Sequence, residues 1–62
     1  MILEDNLGAE GDTVYAALMT AHEGLSTAES HALNARLVLM LANEVGDRTR
    51  LQALFAAARD LT

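Results

Sequence analysis

Apolar residues recur at three- to four-residue intervals in three stretches of this chain, and glycines and short polar segments separate the stretches. Such spacing predicts amphipathic α-helices, because residues three and four positions apart share one face of a helix. We predict helices over about 12–23, 27–45 and 48–60, preceded by an extended acidic arm over 1–11. The short connections favour helices that are neighbours in space, so we expect an all-α fold, a compact three-helix unit.

Residues at the helix ends support these bounds. Ser26 and Glu29 have the spacing of a capping box, in which each side chain accepts a hydrogen bond from the other residue's backbone N–H. Asp12 and Asp47 stand where a carboxylate would cap the first and third helices. Gly46 is predicted to end the second helix, since glycine adopts the left-handed conformation that helix C-termini need.

The second helix contains six consecutive apolar residues, 37–42. At 100° per residue they point in every direction around the helix axis, so two neighbouring helices can cover only part of them. We expect one side of this helix to pack on the other two helices, the side with Leu33, Leu37, Met40 and Leu41. The opposite side is then free to bind a partner. The predicted contact residues are Ala35, Val38, Leu39 and Ala42, with Leu3 and Leu7 of the arm as secondary contacts.

Composition predicts a domain that is marginally stable on its own. The chain has 62 residues, and 12 of its apolar residues are alanine, which stabilise little when buried. Tyr15 and Phe55 are the only aromatic residues, and the absence of cysteine excludes disulfides and thiolate–zinc sites. Chains of this size often need oligomerisation or another form of support. A small core is therefore consistent with the prediction that the second helix has apolar surface that the chain itself does not cover.

The net charge of −5, with four arginines and no lysine, disfavours nucleic acids and anionic membranes as partners. A basic protein surface fits it better. The apolar start of the chain is too short for a signal peptide and has acidic residues where a basic segment is expected. No stretch has the ~20 apolar residues needed to span a bilayer. We expect a soluble, cytoplasmic protein.

Residues with catalytic or metal-binding chemistry are present in patterns that do not favour either activity. Ser26 and Ser30 lack the glycine pattern of a nucleophile elbow, and 62 residues leave little room for an active-site pocket. His22 and His31 have Glu23 and Glu29 nearby, but no pair has the spacing that places two ligands on one helix face. We therefore predict no catalytic residue, no metal and no cofactor.

A polar stripe runs along the second helix, because Glu29, Arg36 and Asn43 repeat every seven residues. The simpler interpretation is a solvent-facing stripe. The alternative is that these side chains form hydrogen bonds at an interface and fix its register.

Several segments of the chain together resemble a family of small helical proteobacterial proteins, the domain-of-unknown-function family 2783. The resemblance covers about residues 6–60 and is most distinctive over Leu33-Asn34-Ala35-Arg36-Leu37-Val38-Leu39. It implies no established activity and assigns no catalytic residue. Genes for flavin-dependent hydroxylases of aromatic compounds accompany the family, which implies such an enzyme as a partner.

The function we predict is a non-catalytic protein-interaction module that binds through its second helix. It would be an accessory subunit of a larger, flavin-dependent bacterial enzyme or a homo-oligomeric helical protein. The alternative is a small-molecule or metal-binding regulator that uses His22 and His31, together with Asn34 and Arg36. An acidic mimic of nucleic acid ranks last, because the carboxylates are scattered along the chain instead of forming a stripe.

Overall fold

A computed structural model describes residues 5–62, and residues 1–4 lie outside the described part. One turn of 3₁₀ helix, Gly8–Glu10, leads into α1, Gly11–Ala21, which is followed by α2, Thr27–Val45, and α3, Arg48–Asp60. Residues 5–62 contain no β-strand, so the predicted all-α, three-helix unit is confirmed. No helix in this part of the chain is long and apolar enough to cross a membrane.

The ends of α2 lie where the sequence predicts them. Ser26 Oγ accepts the Glu29 N–H at 3.1 Å, and the Glu29 carboxylate accepts the Ser26 N–H at 3.0 Å, so the capping box is confirmed. Gly46 ends the helix with a φ of 66°, in the left-handed region that favours glycine. Two local signals in the sequence therefore fix the longest helix.

We expect the free energy of unfolding to fall as the pH is lowered below 4.5, and Glu29→Gln to remove part of this dependence. The hydrogen bond from the Ser26 backbone lowers the pKa of Glu29 below its ordinary value of 4.5. A lowered folded-state pKa stabilises the protein above pH 4.5, and this stabilisation is lost as the pH falls through the lowered pKa. Glutamine keeps an oxygen for the capping box but does not titrate. Thermal unfolding of both proteins at several pH values measures the difference, and identical pH profiles would contradict the prediction.

The start of α1 differs from the sequence-based prediction. Asp12 was expected to cap this helix, but it lies inside the first turn, and the cap position is held by Glu10 without a side-chain hydrogen bond. Asp5 Oδ1 instead accepts the N–H groups of Leu7 at 3.2 Å and Gly8 at 3.0 Å. These hydrogen bonds direct the chain into the 3₁₀ turn. Helical structure therefore begins at Gly8, and within the described residues only 5–7 of the predicted arm precede it.

The end of α1 and the start of α3 are also set by local hydrogen bonds. α1 ends at Ala21, two residues before the predicted bound, and His22 takes the C-cap position. Asp47 Oδ1 accepts the Arg50 N–H at 3.0 Å, as expected of the residue that caps α3. Local hydrogen bonds therefore define both of these helix ends.

Packing between the helices is sparse, and no residue of the part that the structure describes is fully buried. The chain exposes 5421 Å² of accessible surface. A folded monomer of 6.6 kDa exposes roughly 3,900 Å². The three helices thus leave apolar surface open that a closed core would cover, and this surface forms the candidate site.

Candidate functional site

An open apolar groove of about 590 Å³ lies between α1 and α2, and we call it the α1–α2 groove. Both helices contribute to it because their apolar residues recur at one-turn spacing on the sides that face each other. Arg36 also lines this groove. The main apolar residues of the α1–α2 groove are Val14, Leu18, Ala21, Leu33, Leu37 and Met40.

A second apolar groove, of about 540 Å³, lies between α2 and α3, and we call it the α2–α3 groove. Glu44 contributes to its lining, and Leu41 lines both grooves. The main apolar residues of the α2–α3 groove are Val38, Ala42, Val45, Leu51, Leu54 and Phe55.

The two grooves occupy different sides of α2, which corrects one sequence-based expectation. The side with Leu33, Leu37, Met40 and Leu41 is expected to pack on both other helices. Only Leu41 lines both grooves, and the other three residues line the α1–α2 groove alone. α3 instead flanks the side with Val38 and Ala42. α2 therefore has an apolar groove on each of two sides, and its third side faces solvent.

The structure divides the predicted contact residues between separate surfaces. Val38 and Ala42 line the α2–α3 groove. Ala35 and Leu39 line neither groove, and Leu39 lies 72% exposed on the third side, which we call the outer side of α2. Leu7 is exposed next to Gly11 at the start of α1. Leu3 lies outside the described residues.

Two of the most accessible groove residues were not among the predicted contacts. Met40 is 66% exposed in the α1–α2 groove, and Phe55 is 51% exposed in the α2–α3 groove. The sequence predicts that Met40 packs on the other two helices, and both residues lie on apolar stripes at helical spacing. The stripes are present, but the helices that carry them do not close over these side chains.

His22 connects α1 to α2. Its Nδ1 lies 2.9 Å from the Leu18 carbonyl oxygen, and its Nε2 lies 2.9 Å from Asn34 Oδ1. A carbonyl oxygen only accepts, so Nδ1 carries a hydrogen and donates it. Nε2 then donates to Asn34 Oδ1 if both ring nitrogens carry a hydrogen. Alternatively, Nε2 accepts a hydrogen bond from Asn34 Nδ2 if the amide is flipped so that Nδ2 faces the ring. Both ring nitrogens are thus engaged within the protein.

The histidines are not grouped with other ligands. Within residues 5–62, no three His, Asp or Glu side chains are placed to hold a metal ion together. His31 lies on the exposed surface of α2.

Charged residues flank the apolar grooves. Between residues 5 and 47 the only arginine is Arg36, on α2, whereas the other charged residues of this segment are acidic. Arg36 and Glu44 are both exposed, and each lines a different groove. Arg36 and Glu44 thus place one positive and one negative side chain on α2, four residues before and four residues after Met40.

The chain belongs to the family described as protein of unknown function DUF2783, whose model matches residues 1–60. This match confirms the family resemblance noted from the sequence. No curated protein and no solved structure matches the chain.

Proposed function

We propose that this member of the family is a non-catalytic protein-interaction module that completes its hydrophobic core on another protein molecule. The partner is either a second copy of the chain or a larger enzyme to which the chain is an accessory subunit. In both cases the partner inserts apolar side chains into at least one of the two grooves, α1–α2 or α2–α3.

The observation that carries this proposal is the absence of any fully buried residue in the described part of the chain. Large apolar side chains remain open to solvent on all three helices, among them Val14, Met40 and Phe55. Exposed apolar side chains that line a common groove, as these do in part, are typical of protein interaction sites.

Folding energetics point in the same direction. Fixing the backbone of each residue costs roughly 1–2 kcal/mol, and buried apolar surface is the main term that offsets this cost. Half-buried alanines and leucines on three loosely packed helices supply little of that term. A partner that covers the grooves adds the missing burial, so binding and folding are coupled.

The character of the grooves favours a protein partner over a small molecule. A small-molecule pocket combines apolar walls with several polar groups that converge on the ligand. Here each groove is open and apolar, with one charged side chain in its lining. An amphipathic helix lying in an apolar groove is a common mode of protein recognition. The metal-binding alternative gains no support, since both His22 ring nitrogens already have partners within the chain.

The experiment that tests this proposal follows folding of the purified full chain as a function of protein concentration. We expect a broad, non-cooperative thermal transition and binding of a hydrophobic dye at the lowest measurable concentration. Addition of the partner, or association of the chain with itself, should produce a cooperative transition and reduce dye binding. A monomer that unfolds cooperatively at a concentration-independent temperature, without dye binding, would contradict the proposal.

A further inference from the structure

We infer that the partner in the α1–α2 groove is a second copy of this chain, with the two α2 helices packed antiparallel about a two-fold axis at Met40. This inference rests on the proposed function and names the partner. It joins two α1–α2 helix pairs into a four-helix arrangement, and it leaves the outer side of α2 exposed.

The amount of open surface suits a homodimer. The chain exposes 5421 Å², which exceeds the value for a folded monomer of its mass by roughly 1,500 Å². Obligate homodimers bury roughly 2,000–5,000 Å² in total, about half of it on each subunit. The excess, summed over all surfaces of one chain, therefore falls within the range that one subunit buries in such dimers.

The order of side chains along α2 is self-complementary. Arg36 and Glu44 lie four residues before and four residues after Met40. At 100° per residue, both point within about 40° of the Met40 direction, so the three residues follow one stripe of the helix. All three are exposed. Arg36 and Met40 line the α1–α2 groove, whereas Glu44, further along the same stripe, contributes to the lining of the α2–α3 groove.

A two-fold axis at Met40 turns this stripe into a matching surface. In an antiparallel pair, the residue four positions before Met40 lies at the same height as the residue four positions after Met40 of the second copy. Arg36 of each chain is then beside Glu44 of the other, and the ion pair forms twice, as an isologous interface requires. The two Met40 side chains meet at the axis.

The same charges disfavour the parallel arrangement. A parallel pair in register would place Arg36 beside Arg36 and Glu44 beside Glu44, and like charges at an interface are repulsive. Between the charged residues lie Leu37, Met40 and Leu41, which supply apolar surface in either orientation. The charges therefore set the direction of pairing, and the apolar residues supply the affinity.

The net charge of −5 on each copy opposes association at long range. At physiological ionic strength salt screens exposed charges that are more than about 8 Å apart, whereas the apolar contacts in the α1–α2 groove do not depend on charge. We therefore expect the dimer to be favoured by moderate salt.

Single-cysteine variants of the full chain test the position of the axis, because the natural sequence has no cysteine. Under mild oxidation we expect Met40→Cys to form a covalent dimer. The matched control, Leu39→Cys, is adjacent in sequence but lies on the outer side of α2. It should form no covalent dimer, as judged from the mass of the denatured, non-reduced protein. Efficient cross-linking of Leu39→Cys in place of Met40→Cys would overturn the inference.

Charge exchange tests the orientation. We expect Arg36→Glu and Glu44→Arg each to raise the dimer dissociation constant about tenfold, measured by sedimentation equilibrium. The double variant with both changes should restore it, since the two residues are about 12 Å apart along one helix and can pair only between chains. Arg59→Glu, outside both grooves, controls for net charge and should have little effect. Failure of the double variant to restore affinity would overturn the antiparallel pairing.

Failure of this inference can be told apart from failure of the proposed function. A chain that stays monomeric at high concentration and also lacks cooperative unfolding excludes the second copy and retains the interaction module, with a different protein as partner. A chain that is a cooperative, stable monomer excludes both.

Discussion

Replacing Met40 by Asp is expected to raise the dimer dissociation constant about 100-fold or more and to remove much of the helical signal at micromolar concentration. The substitution places two carboxylates next to each other at the two-fold axis, in a groove whose lining is apolar. In the proposed assembly folding and association are coupled, so loss of the dimer would also remove the burial that stabilises the helices. Sedimentation velocity and far-UV circular dichroism, recorded on the same samples, measure the two effects.

Leu39→Asp is the matched control for this substitution. Leu39 is the neighbouring residue and is 72% exposed, slightly more than Met40 at 66%, but it points to the outer side of α2. We expect it to leave both the mass and the helical signal nearly unchanged. The opposite result, in which Leu39→Asp dissociates the protein and Met40→Asp does not, would move the contact to the outer side that the sequence alone had favoured.

The helix bounds that depend on local signals could be predicted from the sequence. The capping box of Ser26 and Glu29, the left-handed Gly46 and the Asp47 cap all involve residues at most four apart, and all are confirmed. Interactions at such short range follow from residue type and spacing alone.

The start of α1 could not be predicted in the same way, because two acidic residues, Asp5 and Asp12, could each accept backbone N–H groups where helical structure begins. Asp12 has the expected spacing for a cap, but Asp5 binds the N–H groups of Leu7 and Gly8 and starts helical structure earlier. Gly8, with a φ of 56°, permits that turn. Neither preference is strong enough in the sequence to decide between them.

The candidate site was only partly predictable, for a physical reason that residues 37–42 illustrate. An apolar run that surrounds the whole helix shows that surplus surface exists, but it does not show where the neighbouring helices will lie. The structure supplies that angle and places Met40 in one groove, Val38 in the other and Leu39 in neither. The sequence therefore predicts which helix carries the site. Which groove each apolar residue of that helix lines depends on how α1 and α3 pack against it.

Phe55→Ala is expected to lower the free energy of unfolding of the associated protein by about 2–3 kcal/mol. Removing a fully buried phenylalanine costs about 3–5 kcal/mol, and Phe55 is half exposed in the isolated chain, where it lines the α2–α3 groove with Val38 and Ala42. Its groove differs from the one assigned to the second copy, so the dimer dissociation constant should change little. Denaturant unfolding at fixed protein concentration, with the mass checked by sedimentation, measures both quantities.

Tyr15→Ala gives the comparison that makes this result interpretable. Tyr15 is the other aromatic residue, is 63% exposed and lines neither groove, so its loss should cost less than about 1 kcal/mol. Equal losses for the two variants would contradict a specific role for the α2–α3 groove. Phe55→Ala could instead lower the free energy of unfolding by about 5 kcal/mol, the upper end of the range for a fully buried phenylalanine. Truncating a half-exposed ring does not remove that much stability, so this result would mean that the α2–α3 groove is also covered in the assembly.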